Sequence, residues 1–90
     1  MQTTETSWYE QMVRKLQING KIERSQEAYT RAVRQLAEHY GKEPQLINEQ
    51  ELEEYLLYRR NESRWASKTL RLCYYGIRFY YQFVLNNDWN

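Results

Sequence analysis

Apolar residues in this chain return every third or fourth position, the period of a helix, and strand-like alternation is weak throughout. Four segments carry the helical period. In the first, Trp8, Met12 and Leu16, with Val13 beside them, make one stripe and predict a helix over about 8–18. Ser7 stands at the N-cap position, and Glu10 three residues later has the spacing of a capping box. Asn19-Gly20 ends this helix, because both residues accept left-handed backbone geometry.

The second predicted helix covers about 26–40, with Ser25 as its cap. Ala28, Tyr29, Ala32, Val33, Leu36, Ala37 and Tyr40 give it a wide inward face. Gly41 and then Pro44 stop it. The third covers about 49–60 behind Asn48, with Glu51 three positions on and Leu52, Tyr55 and Leu56 facing inward. Its early acids suit the positive end of the helix dipole, and Arg59 and Arg60 suit the negative end. A loop follows to Ala66.

The fourth helix is predicted over about 68–85, capped by Ser67. Leu70, Cys73, Ile77, Tyr80 and Val84 form one apolar row, and Leu72, Gly76, Phe79 and Phe83 a second beside it. An apolar face that broad marks the central helix. Gly76 costs about 1 kcal/mol against alanine inside a helix, which is understandable where another helix crosses closely. The fold class is therefore all-α.

Ninety residues make a single domain, taken as 1–90, able to bury roughly two-thirds of the surface its unfolded chain exposes. Nine tyrosines raise the aromatic share to 16%, which implies a core with a wet rim, since tyrosine packs its ring and keeps its hydroxyl near water. The single cysteine, Cys73, admits no intrachain disulfide and reads as a small buried hydrophobe. No apolar run is long enough to span a bilayer, and MQTTETSW lacks the basic and apolar parts of a signal peptide. A cytoplasmic protein without a membrane partner is the expectation.

The formal net charge of +1 hides a segregated distribution. From Arg14 to Arg34 the bases Arg14, Lys15, Lys21, Arg24, Arg31 and Arg34 face only Glu23 and Glu27. From Arg59 to Arg78, Arg59, Arg60, Arg64, Lys68, Arg71 and Arg78 face only Glu62. The acids gather at Glu49, Glu51, Glu53 and Glu54, and segregation of this kind matters more than the sum. Lys68, Arg71, Tyr75, Arg78 and Gln82 recur at helical spacing as one polar stripe uninterrupted by an acid. Arg24, Arg31 and Arg34 flank the outer side of the second helix. Such faces have the reach for phosphates and base edges.

Ser25 beside Arg24 and Ser67 beside Lys68, with Thr69 adding a hydroxyl, place helix amides and dipoles where a phosphate is favoured. Serine before a helix is ordinarily only a cap, and exposed arginine ordinarily only solubilises. Two such faces in one small domain are what point to nucleic acid. Catalysis has little support. His39 is the only histidine, no zinc set or phosphate-cradling glycine loop occurs, and the acids of 49–54 read as a solvated helix start. No cofactor is expected.

Three stretches resemble a known family in their order and spacing. Ser25-Gln-Glu-Ala-Tyr29 resembles a Thr/Ser-x-x-x-Tyr helix opening, and Leu46 to Leu56 resembles Ile/Leu-Thr-x-x-x-Leu/Ile-x-x-Tyr-Leu. Ser67-Lys-Thr69-Leu70, followed by Gly76-Ile77-Arg78-Phe79-Tyr80-Tyr81-Gln82-Phe83, resembles Ser-x-Thr-Ile and small-Leu-Arg-x-Phe-Phe/Tyr. Together they resemble the N-terminal core-binding, SAM-like domain of tyrosine recombinases, the phage-integrase family, over about Trp8 to Trp89. Asn48 replaces a common threonine, and Tyr80 a usual phenylalanine.

The resemblance implies a four- to five-helix orthogonal bundle whose second and fourth helices lie against double-stranded DNA. It implies a role in DNA integration and recombination. It also implies a separate C-terminal catalytic domain, outside this chain, that closes with this one around the duplex, and further recombinase protomers on the DNA. None of the family's catalytic residues has a counterpart here. The expected DNA-facing residues are Arg24, Ser25, Arg31, Arg34, Arg64, Lys68, Thr69, Arg71, Tyr75 and Arg78. The competing expectation is a helical protein-interaction module that uses a tyrosine rim of Tyr58, Tyr74 and Tyr81. A stand-alone enzyme is a third, disfavoured for want of a catalytic set.

Overall fold

The computed structural model describes residues 7–87. Its helices are α1 (Trp8–Ile18), α2 (Glu23–Tyr40), α3 (Glu49–Asn61) and α4 (Ser67–Phe79), the last widening into a π-helical turn over Tyr80–Val84. A short 3-10 turn, Pro44–Leu46, links α2 to α3. The all-α class is the predicted one.

Local chemistry explains most boundaries. Ser7 Oγ accepts the Glu10 N–H at 3.2 Å and opens α1. Asn48 and Glu51 complete a capping box on α3, with bonds of 2.8 and 3.0 Å. Gly20 and Gly41 take φ of 76° and 66°, the left-handed geometry that ends α1 and α2.

Three expectations are corrected. Helix α2 starts at Glu23, because Ile22 supplies the extended cap residue without a side-chain bond and Gln26 N–H already reaches the Ile22 carbonyl at 3.0 Å. Ser25 therefore lies inside the first turn and caps nothing. Ala66, likewise without a cap bond, precedes α4, so Ser67 is its first helical residue. The fourth helix is also not one regular α-helix to residue 85.

The π-helical turn lets two consecutive tyrosines point inward: Tyr80 and Tyr81 are each 1% exposed. Tyr81 donates its hydroxyl to the buried Pro44 carbonyl and pins the 3-10 turn to the end of the fourth helix. It cannot belong to a surface tyrosine rim. Leu72 and Phe83, predicted in the second inward row, are exposed, whereas Gly76 and Phe79 of that row are buried.

The core gathers Met12 and Leu16 from α1, Val33 and Leu36 from α2, and Leu52 and Tyr55 from α3 around Cys73 and Ile77 of α4. The α2–α4 packing is the tightest seam. There the site of a Cβ on Gly76 lies only 2.9 Å from the Tyr29 Cα. Trp8 meets Tyr80 edge-on at 6.1 Å and closes α1 over the end of the fourth helix. Burial pushes the Cys73 thiol up to about 11 and the Tyr80 phenol up to about 12. No helix of the described residues is long and apolar enough to cross a membrane.

Candidate nucleic-acid interface

Crossing α2 over α4 leaves a shallow groove between them. Arg31 and Gln35 line it from α2, Thr69 and Leu72 from α4, and Trp65 from the loop before α4. Arg31 and Gln35 are one turn apart, so both reach the same side. Thr69 and Leu72 continue into an adjoining hollow lined also by Lys68, Arg71 and Tyr75. Five of the ten expected residues, Arg31, Lys68, Thr69, Arg71 and Tyr75, thus line two adjoining hollows that share Thr69 and Leu72. None of their lining residues is an acid. All five side chains are exposed, and Tyr75 is 51% so.

The other five are placed differently. Arg24 lies two turns before Arg31 on the same face of α2 and is exposed at its start. Ser25 is half-buried in the first turn. Arg34 turns toward α1, where its guanidinium carbon stands 5.5 Å from the Tyr9 ring centroid. Arg78 folds along its own helix, donating to the Tyr74 hydroxyl at 3.2 Å. Arg64 is exposed in the α3–α4 loop with φ at 59°.

The acidic start of α3 sits at the other end of α2. Tyr40, in the last turn of α2, donates its hydroxyl to the Glu51 carbonyl at 2.6 Å. Arg24 is sixteen residues earlier, about 24 Å away along the helix axis. Lys42 pairs with Glu51 at 2.9 Å, and the capping bond from the Asn48 N–H, followed by that pairing, lowers the Glu51 pKa. The two ends of α2 thus differ in charge: Arg24 is exposed at its start, and the acidic opening of α3 packs at its end.

Two residues of the groove escape a reading of basic stripes. Gln35 is uncharged, though its spacing from Arg31 could have placed it. Trp65 lies in a loop, where helical periodicity gives no direction. Arg59 and Arg60 end one helix side by side but diverge. Arg60 lines a hollow between α3 and α4 with Leu57, Arg71 and Tyr74. Arg59 turns in over Trp65 and Tyr55, at 4.5 and 5.1 Å from their ring centroids.

His39 packs among Tyr40, Tyr55 and Tyr58, with ring centroids 4.8, 5.0 and 5.0 Å away. Among the described residues no group of three or more His, Cys, Asp or Glu side chains gathers at one point.

Residues 8–90 match the family model described as the phage integrase N-terminal SAM-like domain. A protein of Sinorhizobium fredii (strain NBRC 101917 / NGR234) named as an integrase/recombinase, y4qK, is 28% identical over 80 residues. That alignment covers 89% of this chain and 26% of the relative, so the chain spans about a quarter of that protein's length. No solved structure matches the chain.

Proposed function

The chain belongs to the phage integrase N-terminal SAM-like domain family, and from that premise we propose that it is the core-binding, DNA-clamping domain of a site-specific tyrosine recombinase. In this reading it is one non-catalytic domain of a cytoplasmic protein. A separate catalytic domain supplies the nucleophile, and further protomers assemble on the same DNA. The observation that carries the reading is the acid-free depression in which Arg31 of α2 and Lys68, Thr69 and Arg71 of α4 adjoin.

Such a surface suits the sugar–phosphate backbone. Arginine and lysine neutralise phosphates, a threonine hydroxyl donates to a phosphate oxygen, and the exposed Tyr75 offers a flat face with a polar tip. Phosphate contacts position a protein on the duplex without reading sequence. The domain's contribution is accordingly grip and orientation.

Binding of duplex DNA at graded salt tests this. A half-clamp with few phosphate contacts should bind weakly, and the slope of log K against log salt should be about −0.9 for each phosphate neutralised. Tight, salt-independent binding, or no binding at low salt, contradicts it. The tyrosine-rim alternative loses a member, because Tyr81 is buried.

A further inference from the structure

We infer that Arg59 is a positioning residue that holds the Trp65 indole as one wall of the α2–α4 groove. Its side chain is spent inside the molecule. Nε donates to the Tyr55 hydroxyl at 3.0 Å, and Nη1 donates to Ser63 Oγ at 3.3 Å. The guanidinium carbon lies 4.5 Å from the Trp65 ring centroid, closer than to Tyr55 at 5.1 Å or Tyr58 at 5.6 Å. The backbone closes the same loop, since Trp65 N–H donates to the Arg59 carbonyl at 2.9 Å. Arg59 thus grips Trp65 by ring and by main chain.

The loop so closed is short and bent, with Arg64 at a φ of 59°. Trp65 also lines the groove with Arg31, Gln35 and Thr69. A planar guanidinium can stack on a ring and donate sideways at once, whereas an ammonium cannot reproduce that geometry. Lysine at 59 would keep the charge and release the indole. The groove would then lose a fixed wall beside Arg31 and Thr69, though no phosphate-facing cation would be removed. The inference rests on the DNA-binding reading for its effect on affinity, and on geometry alone for the placement of Trp65.

Arg59→Lys tests both parts on the 90-residue chain. The indole N–H resonance of Trp65, assigned by its loss in Trp65→Phe, reports the ring. It should shift in Arg59→Lys while the helical circular dichroism stays that of wild type. Affinity for duplex DNA should fall roughly fivefold, about the cost of ordering one loosened side chain on binding, with the salt slope unchanged. An unmoved Trp65 resonance overturns the inference, whether or not DNA binds. Wild-type affinity in Arg59→Lys overturns the link to the groove. A slope shallower by about 0.9 in Arg59→Met would instead make Arg59 a direct phosphate contact and overturn the positioning role. Failure of the wild-type chain to bind DNA sinks the underlying reading and the affinity part with it, while the resonance still decides whether Arg59 places the ring.

Discussion

Gly76 of α4 packs against the backbone of Tyr29 in α2, so closely that a Cβ at position 76 would stand 2.9 Å from the Tyr29 Cα and 3.2 Å from its carbonyl oxygen. Neither atom belongs to a flexible side chain, so the helices themselves would have to part. Glycine at this point is what lets α2 and α4 share a seam, and with it the groove along that seam.

Gly76→Ala should therefore destabilise the fold, against the intrinsic gain of about 1 kcal/mol that alanine brings to a helix interior. Overpacking of this kind costs about 1–3 kcal/mol. A urea titration of the variant checks this. A midpoint at or above wild type would show that the helices separate without cost.

Stability should also fall on the alkaline side. Burial, with a smaller effect from Glu43, raises the Tyr80 phenol from 10.0 to about 12, and burial raises Tyr81 as well. The folded state holds these protons more tightly than the unfolded chain does. Their contribution is whole below pH 10 and is lost as pH rises toward 12. For Tyr80 alone the rise corresponds to about 3 kcal/mol. Urea midpoints measured between pH 8 and 11 should drop, and Tyr80→Phe should flatten part of that drop. A midpoint as steep in the variant as in wild type would clear Tyr80 of the effect.

Arg31 and Arg34, three positions apart on α2, should differ in their effect on DNA binding. Arg31 lines the groove, whereas Arg34 lies over Tyr9 on the α1 side. Arg31→Gln should weaken binding and make the salt slope shallower by about 0.9, the loss of one phosphate contact. Arg34→Gln should leave the slope near that of wild type. Salt-dependent binding measured on both variants decides this, and equal losses would place the duplex across both sides of α2.

Much of the fold is legible in the sequence where a boundary has a chemical marker. Asn48 with Glu51, and Gly41 before Pro44, mark the start of α3 and the end of α2 in both sequence and structure. The start of α2 has no such marker. Ile22 is an unremarkable cap, and Ser25, a preferred cap type, sits three residues too late. The π-helical turn is equally silent, since no local residue announces it. Its consequence, Tyr81 turned inward to Pro44, depends on a partner 37 positions away.

The candidate site divides in the same way. Lys68, Arg71 and Tyr75 lie on one helix, and periodicity places them together. The neighbourhood of Arg31 and Thr69 depends on how two helices cross, and the diversion of Arg34 to Tyr9 depends on where α1 packs. A linear pattern carries neither.

On the proposed function, the depression between α2 and α4 is the face that meets DNA. A chemical-shift titration of the chain with duplex DNA checks this. The amides that move should cluster on Arg24 to Gln35 and on Trp65 to Tyr75, and those of Glu49 to Leu56 should stay still. Shifts confined to Glu49 to Leu56 or to Trp8 to Leu16, with Arg31, Lys68, Thr69 and Arg71 unmoved, would contradict it.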